Sequence, residues 1–334
     1  MPKATINDIA KKLNISTSTV SRALSEHPEV SKKTRDRVKQ IAQEMNYRPN
    51  IIAQSLQRGH SKIIGVLVPQ VRHIFFAEVM AGISDVMEKS GYSVLICQSN
   101  EKYENEVKNV ETLIQQRIAG LLVSISEETK NYDHFKQILE NKIPLVMFDR
   151  ICSQIHTSSV TTDDYKGAYN IIEHLIKKGY KRIAHLAGFS TMEIAKQRIL
   201  GYKNALQKYK IPINEKLIIE NGLNEEDGAK GFLELYNNLE EKPDAIFAVS
   251  DPVAIGAFHE IKKMGLKIPE DIALTGFSNN PNTLMIEPAL TTVHQPAYEI
   301  GKVAAELLLD KIINKNEEII QKILSTEIII RQST

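Results

Sequence analysis

The chain has 334 residues, 42% hydrophobic and 25% charged, with a formal net charge of +1, enough for a small head and a body of two ordinary domains. No apolar stretch approaches membrane-spanning length, and Cys97 and Cys152 are too few and too far apart for a disulfide framework or a thiolate metal site. Met1-Pro-Lys runs straight into the first expected helix without a signal peptide, so a soluble, cytoplasmic protein is expected.

The first helix is expected to follow Thr5, an N-cap candidate, because Ile6, Ile9, Ala10 and Leu13 recur at helical spacing. Asn14-Ile15-Ser16 breaks the run. Ser16 can cap a second helix from Thr17 to about Leu24, with Val20, Ala23 and Leu24 inward and Thr17, Ser18, Ser21 and Arg22 on its start and outer face. A third amphipathic helix follows Ser31 and carries Val38, Ile41, Ala42 and Met45 inward. Three such helices close one small core and form a helix-turn-helix unit, in which the second helix enters the DNA major groove by its N-terminal residues. Arg22 can grip a guanine edge bidentately, and the Thr and Ser side chains can meet thymine methyls or phosphate oxygens.

Charge supports that use of the head. Residues 1–60 carry 6 Lys and 5 Arg against 2 Asp and 3 Glu, so 11 − 5 gives +6 and the total of +1 leaves −5 for the remainder. A basic head on an acidic body is an electrostatic footprint of a nucleic-acid reader. Pro49 then stops the third helix, Asn50 can cap another, and Gly59 can end it. Only about two turns fit there, fewer than the roughly 12–15 residues an isolated helix needs. Ala53 and Leu56 share one face, which suits pairing with a second copy and wedging Leu56 into a minor-groove base step.

Ser16-Thr-Ser-Thr-Val-Ser-Arg22 and Tyr47-Arg-Pro-Asn50 through Ala53 and Leu56 resemble the headpiece and hinge of the lactose/galactose repressor (LacI/GalR) family of bacterial transcription regulators. The resemblance implies a homodimer on a palindromic operator, with hinge helices that form only on cognate DNA. It also implies that Thr17, Ser18 and Arg22 read bases while Thr5, Ser16, Thr19, Ser21 and Asn50 hold the backbone.

From Ser61 onward apolar strands alternate with amphipathic helices, which predicts parallel sheets covered on both faces. Strands are expected at 62–69, 92–97, 120–125 and 144–149, and in a second, similar unit at 182–187, 216–220, 245–249 and 272–277, with helices between them. Leu290–Val293, a helix at 298–314 and one final strand at 324–330 would return the chain to each half. The expected division is a helix-turn-helix domain at 1–48, a hinge at 49–60, a first lobe at 61–161 plus about 292–322, and a second at 162–291 plus about 323–334. That gives an α/β fold with a bilobed body, the form the family shares with periplasmic sugar-binding proteins.

Open parallel sheets bind ligands beyond the C-terminal ends of their strands. The residues there include Phe75, Ser99, Asn100, Ser124, Asp149, Arg198, Ser250 and Ser278. Asp251, before Pro252, reads as a helix N-cap rather than a ligand contact. Family correspondence strengthens Asp149, Arg198, Ser250, Ser278 and Gln295. Two departures stand out: Ser278 replaces an aspartate common among relatives, and Leu223 replaces a stacking aromatic. The resulting expectation is a sugar or sugar-phosphate effector. A regulator answering to a protein partner, or an exported sugar-binding protein, are the other readings. No P-loop, dinucleotide glycine fingerprint, His-Glu-x-x-His, Gly-x-Ser-x-Gly elbow or metal-spaced cysteine pair occurs, so no enzymatic activity, cofactor or metal is expected. With no leucine heptad after the last strand, a dimer is the expected assembly.

Overall fold

The structure, a computed structural model, describes residues 4–47 and 61–334. The chain divides into two units, Met1–Ser61 and Lys62–Thr334. In the first, α1 (Ile6–Leu13), α2 (Thr17–Leu24) and α3 (Lys32–Glu44) enclose Ile9, Val20, Ala23 and Val38. Side-chain caps fix where each begins. Thr5 and Asp8 form a reciprocal capping box on α1, Ser16 Oγ accepts from the Thr19 amide at 3.0 Å, and Ser31 Oγ accepts from the Thr34 amide at 3.2 Å. Asn14, in the left-handed region at φ 52°, ends α1 and makes the tight turn into α2. The hinge expected at 49–60, with Asn50, Ala53 and Leu56, lies outside the described residues.

The second unit holds two six-stranded sheets. In chain order the first lobe supplies β1 (Ile63–Val68), α4 (Ile74–Lys89), β2 (Ser93–Gln98), α5 (Tyr103–Gln115), β3 (Gly120–Val123), α6 (Asp133–Glu140), β4 (Leu145–Phe148) and β5 (Ser158–Thr162). The second supplies α7 (Asp164–Lys177), β6 (Ile183–Gly188), α8 (Glu193–Lys208), β7 (Ile218–Asn221), α9 (Glu225–Asn238), β8 (Ala245–Ala248), α10 (Asp251–Lys263), β9 (Ala273–Ser278) and β10 (Thr291–His294). The tail adds α11 (Ala297–Ile313), β11 (Gln321–Leu324) and β12 (Glu327–Ile329). Strand order is β11-β5-β4-β3-β1-β2 in the first sheet and β12-β10-β9-β8-β6-β7 in the second.

Strands such as β3, β4 and β8 are buried throughout because helices cover both faces, which is why they are continuous apolar runs. Cores form on each side: Val66, Leu122, Val146 and Phe148 pack with α4 and α11, while Leu121, Val123, Leu145 and Met147 pack with α5 and α6. The α4–α11 contact is so close that a Cβ on Gly82 would lie 2.1 Å from the Tyr298 carbonyl oxygen, and one on Gly301 1.9 Å from that of Val79.

Three expectations change. In place of the one final strand expected at 324–330 there are two, β11 and β12, which pair with different sheets; β12 runs antiparallel to β10 at the edge of an otherwise parallel sheet. Because β10 pairs with β9, the second crossing between lobes falls at Gln295–Pro296, beyond the boundary expected near 292. Because β11 pairs with β5, the third follows Leu324, beyond the one expected near 323. Pairing partners far apart in sequence set these boundaries, and local pattern does not report them. The three crossings bond to one another: Gln295 Nε2 donates to Thr162 Oγ1 at 2.9 Å, the Asp163 amide donates to the Leu324 carbonyl at 2.9 Å, and Thr326 Oγ1 donates to the Asp163 carbonyl at 3.4 Å.

Candidate functional site

On the head, Thr17 and Ser18 stand exposed in the first turn of α2, while Thr19 and Ser21 are half-buried. Ser16 Oγ sits 2.7 Å from Ser18 Oγ and 2.8 Å from Thr19 Oγ1, so the start of α2 is a cluster of hydroxyls around one cap. Arg22 projects from the same helix and its Nη1 donates to Glu29 Oε2 at 3.0 Å. Both side chains are more than half exposed, so water competes with this ion pair. Thr5 is exposed at the start of α1, its hydroxyl donating to Asp8 Oδ2 at 2.7 Å. The arrangement presents hydroxyls and a guanidinium beside a helix N-terminus, which suits phosphate oxygens and base edges.

In the body, all seven residues singled out for a ligand line one cavity between the lobes: Phe75, Asp149, Arg198, Leu223, Ser250, Ser278 and Gln295. It is a small cavity of about 70 Å³ that opens to solvent, lined by apolar side chains with a few convergent polar groups, as small-molecule sites are. Ser99, Asn100 and Ser124 do not line it. Ser99 instead accepts from Ser126 Oγ at 2.6 Å in a buried cluster around Glu106.

Arg198 in the cleft is held from elsewhere in the fold. Arg198, 3% exposed, donates from Nε and Nη2 to Asp164 Oδ1 at 2.8 and 2.6 Å and from Nη1 to the Val249 carbonyl, with its guanidinium 3.7 Å from the Phe277 ring centroid. Three of the five N–H groups of a guanidinium are so engaged. Asp149 is buried at φ 58°, and burial pushes its carboxyl up to about 6 against the pull of Arg150. At pH 7 it is still mainly an acceptor. Ser124 Oγ reaches it at 3.5 Å.

Asp251 is not the cap expected. Ser250 is the N-cap of α10, its Oγ accepting from the Val253 amide, and Asp251 occupies the first helical position ahead of Pro252. Freed from capping, the buried Asp251 carboxylate accepts from Thr292 Oγ1 at 2.6 Å, the Asn280 amide at 2.6 Å and Ser278 Oγ at 3.4 Å. Burial raises it to about 6. Gly276 permits this approach, since a Cβ there would lie 2.1 Å from Asp251 Oδ1. Leu223 forms an apolar wall with Met192, Ile194 and Ala195, where no ring is present to stack.

Sequence reasoning missed His73, Arg150, Asp164 and Phe277. Arg150, 7% exposed, grips Glu101 through Nη1 at 2.9 and 2.8 Å, and its Nε is buried without a hydrogen-bond partner. It directly follows Asp149, so the rule that selected Asp149 could have selected it too. Asp164 was hidden because α7 starts three residues earlier than Gly167, where its apolar pattern becomes clear; Asp163 is the cap and Asp164 is free to turn inward. Burial raises the Asp164 carboxyl although Arg198 pulls it down. His73 precedes α4, and burial lowers its imidazole, with Arg150 and Arg72 adding to the effect. His185, read from the sequence as packing, is buried between Phe247 and Tyr202, with ring centroids at 4.4 and 5.4 Å.

Among the described residues no helix is long and apolar enough to cross a membrane. Residues 5–50 match the model of bacterial regulatory proteins of the lacI family, and residues 172–334 match that of a periplasmic binding protein-like domain. The ribose operon repressor of Haemophilus influenzae is 33% identical over 330 residues, covering 99% of this chain and 98% of that protein. The structure of the lac repressor dimer bound to operator and the anti-inducer ONPF aligns with a TM-score of 0.85 at 25% identity, over 100% of this chain and 99% of that one. A LacI family regulator from Enterococcus faecium with bound ribose aligns with a TM-score of 0.72 at 29% identity, over 81% of this chain and 98% of that one. A basic helix-turn-helix head, a bilobed α/β body and relatives matched end to end agree: the chain belongs to the lacI family of bacterial regulatory proteins, and it is a transcriptional repressor by family, not an enzyme.

Proposed function

We propose that the protein acts as a homodimer on a palindromic operator, read by α2 and the segment after α3, and that a sugar-like molecule in the interlobe cleft switches it. The observation that carries the reading is the convergence of seven ligand-type side chains from both lobes on one cavity. A ligand there touches Phe75 and Asp149 of the first lobe and Arg198, Ser250 and Ser278 of the second. It therefore changes the relative stability of lobe arrangements, and the coupling to DNA acts equally in both directions. Asp149 accepts sugar hydroxyls, the two serines donate or accept, and Arg198 is pre-oriented by Asp164. The ribose named for one relative and bound in another's structure supports this class of ligand. Pairing is supported by apolar side chains left in water: Leu95 and Ile96 on edge strand β2 at 37% and 45% exposure, and Met285 at 82%.

A regulator answering only to a protein partner is disfavoured by the buried, pre-oriented Arg198 and the buried Asp149 that line the cleft. The test is thermal unfolding of the full-length protein with sugars, sugar phosphates and nucleobases, followed by operator binding with and without any hit. Ligand at about 100 times its Kd stabilises by roughly 2.7 kcal/mol. An absence of any shift, or a ligand-bound crystal in which Arg198 and Asp149 are untouched, overturns the cleft assignment. For the head, Arg22→Ala is expected to relax base preference in site selection, and Leu56→Ala to weaken specific binding far more than nonspecific binding. An unchanged selected site, or equal losses on both DNAs, refutes the respective role.

A further inference from the structure

The loop that follows α2 carries two carboxylates, and each is tied to a different helix. Glu26, in the left-handed region at φ 58°, pairs with Lys39 of α3. Glu29 reaches back to α2, where its Oε2 accepts from Arg22 Nη1 at 3.0 Å. The backbone beneath this second pair is anchored on both sides. The His27 amide donates to the Arg22 carbonyl at 2.9 Å, and Val30, next to Glu29, is buried in the core of the head. Between them the Glu29 amide donates to His27 Nδ1 at 3.4 Å. The carboxylate is therefore carried on backbone that the head itself holds, before any contact with DNA.

An ion pair as exposed as Arg22 with Glu29 adds little to stability. Its consequence lies in what it leaves of the guanidinium. The five N–H groups of an arginine share one plane, and here Nη1 faces Glu29, whereas no residue among those described accepts from Nε or Nη2. Those two nitrogens form the fork that meets O6 and N7 of a guanine. An arginine with no such partner loses side-chain freedom when it places that fork, and its charge is drawn equally to any phosphate within reach. Glu29 acts on both: it fixes one edge of the plane, and its own charge opposes a move towards phosphate. Where DNA displaces the water around the pair, the attraction between the two side chains grows.

We infer that Glu29 is a positioning residue for operator readout, holding Arg22 in the orientation that reads one base pair without touching a base itself. Glu29 has this role only if Arg22 reads a base, as proposed above, and it extends that reading to a residue outside α2.

The experiment is site selection from a random duplex pool with the full-length protein, Arg22→Ala and Glu29→Ala, followed by affinity measurements on the selected site and on sites with one base pair changed in one half-site. Arg22→Ala identifies the base pair that Arg22 reads, where the natural protein is expected to prefer its base by about tenfold or more. Glu29→Ala is expected to cut the preference at that same pair by at least about threefold and to leave the other positions unchanged. A smaller cut overturns the role. So does a lost preference at a different pair, which would make Glu29 a reader of its own base, and so does an equal loss of affinity on every sequence, the mark of a loosened loop. Each of these outcomes leaves the Arg22 reading standing. An Arg22→Ala profile identical to that of the natural protein overturns the Arg22 reading and the role of Glu29 together.

Discussion

The head and the cleft solve recognition in opposite ways. On the head, Thr17, Ser18 and Arg22 stand in water on one short helix, supported by a cap three residues away. In the cleft, Arg198 and Asp149 are buried, and their hydrogen-bond partners, Ser124, Asp164 and Val249, lie 25–51 positions distant in sequence. Exposed groups stay hydrated until DNA replaces the water, so they need little scaffolding. Buried groups lose their water on folding and must be satisfied by the protein itself. Single substitutions should therefore cost little stability on the head and much in the cleft.

The largest test is Arg198→Met. It leaves the buried Asp164 carboxylate without its partner, a change expected to cost roughly 3–5 kcal/mol in denaturant unfolding of the body. The double variant Arg198→Met with Asp164→Asn should recover most of that. A single-variant loss below about 1 kcal/mol would remove the contrast with the head.

Next comes pH. The Asp149 carboxyl is raised from 3.8 to about 6 by burial, so between those values the folded state holds a proton that the unfolded state has released. Its contribution is fully present below the unfolded value and is lost as pH rises through the folded one. Relative to Asp149→Asn, the natural protein should gain up to about 3 kcal/mol as pH falls from 7 to 4. A difference that is flat across this window, measured by urea unfolding at each pH, would show that Asp149 is not held as the burial implies. On the head the sign reverses. Hydrogen bonds from Thr5 lower the Asp8 carboxyl and Lys39 lowers that of Glu26, so stability from these two groups is lost only as pH drops below the ordinary carboxylate range.

A smaller effect separates scaffold from contact within the head. Ser16→Ala and Ser31→Ala each remove one helix cap and should each cost about 1 kcal/mol of head stability, read by hydrogen exchange in α2 and α3. Only Ser16→Ala should also weaken operator binding beyond what its stability loss explains. Equal operator effects from both would mean that Ser16 acts solely as a cap. Smallest of all, Glu29→Gln removes the exposed partner of Arg22 and should change stability by under about 0.5 kcal/mol.

The helix-turn-helix was legible because its signals are local: Thr5, Ser16 and Ser31 announce helix starts three residues before the amides they accept from. The alternating body was legible for a similar reason, since strands buried on both faces must be continuous apolar runs. Asp149 and Ser250 could be found by asking what lies just past each strand. Arg150 obeyed the same rule and was passed over, whereas Asp164 could not be found that way, because it begins a helix and its partner lies 34 residues on.

Caps, turns and hydrophobic period are properties of neighbours in the chain, so sequence alone settled the number and order of most elements, the two-lobed α/β plan and the family. The pairing of β11 and β12 with different sheets, the release of Asp251 from capping to anchor Ser278 and Asn280, and the buried pair of Arg198 with Asp164 depend on segments that meet only after folding. Tertiary structure decided these because a buried polar group takes whichever partner the packed fold brings within reach, and no local pattern encodes that partner.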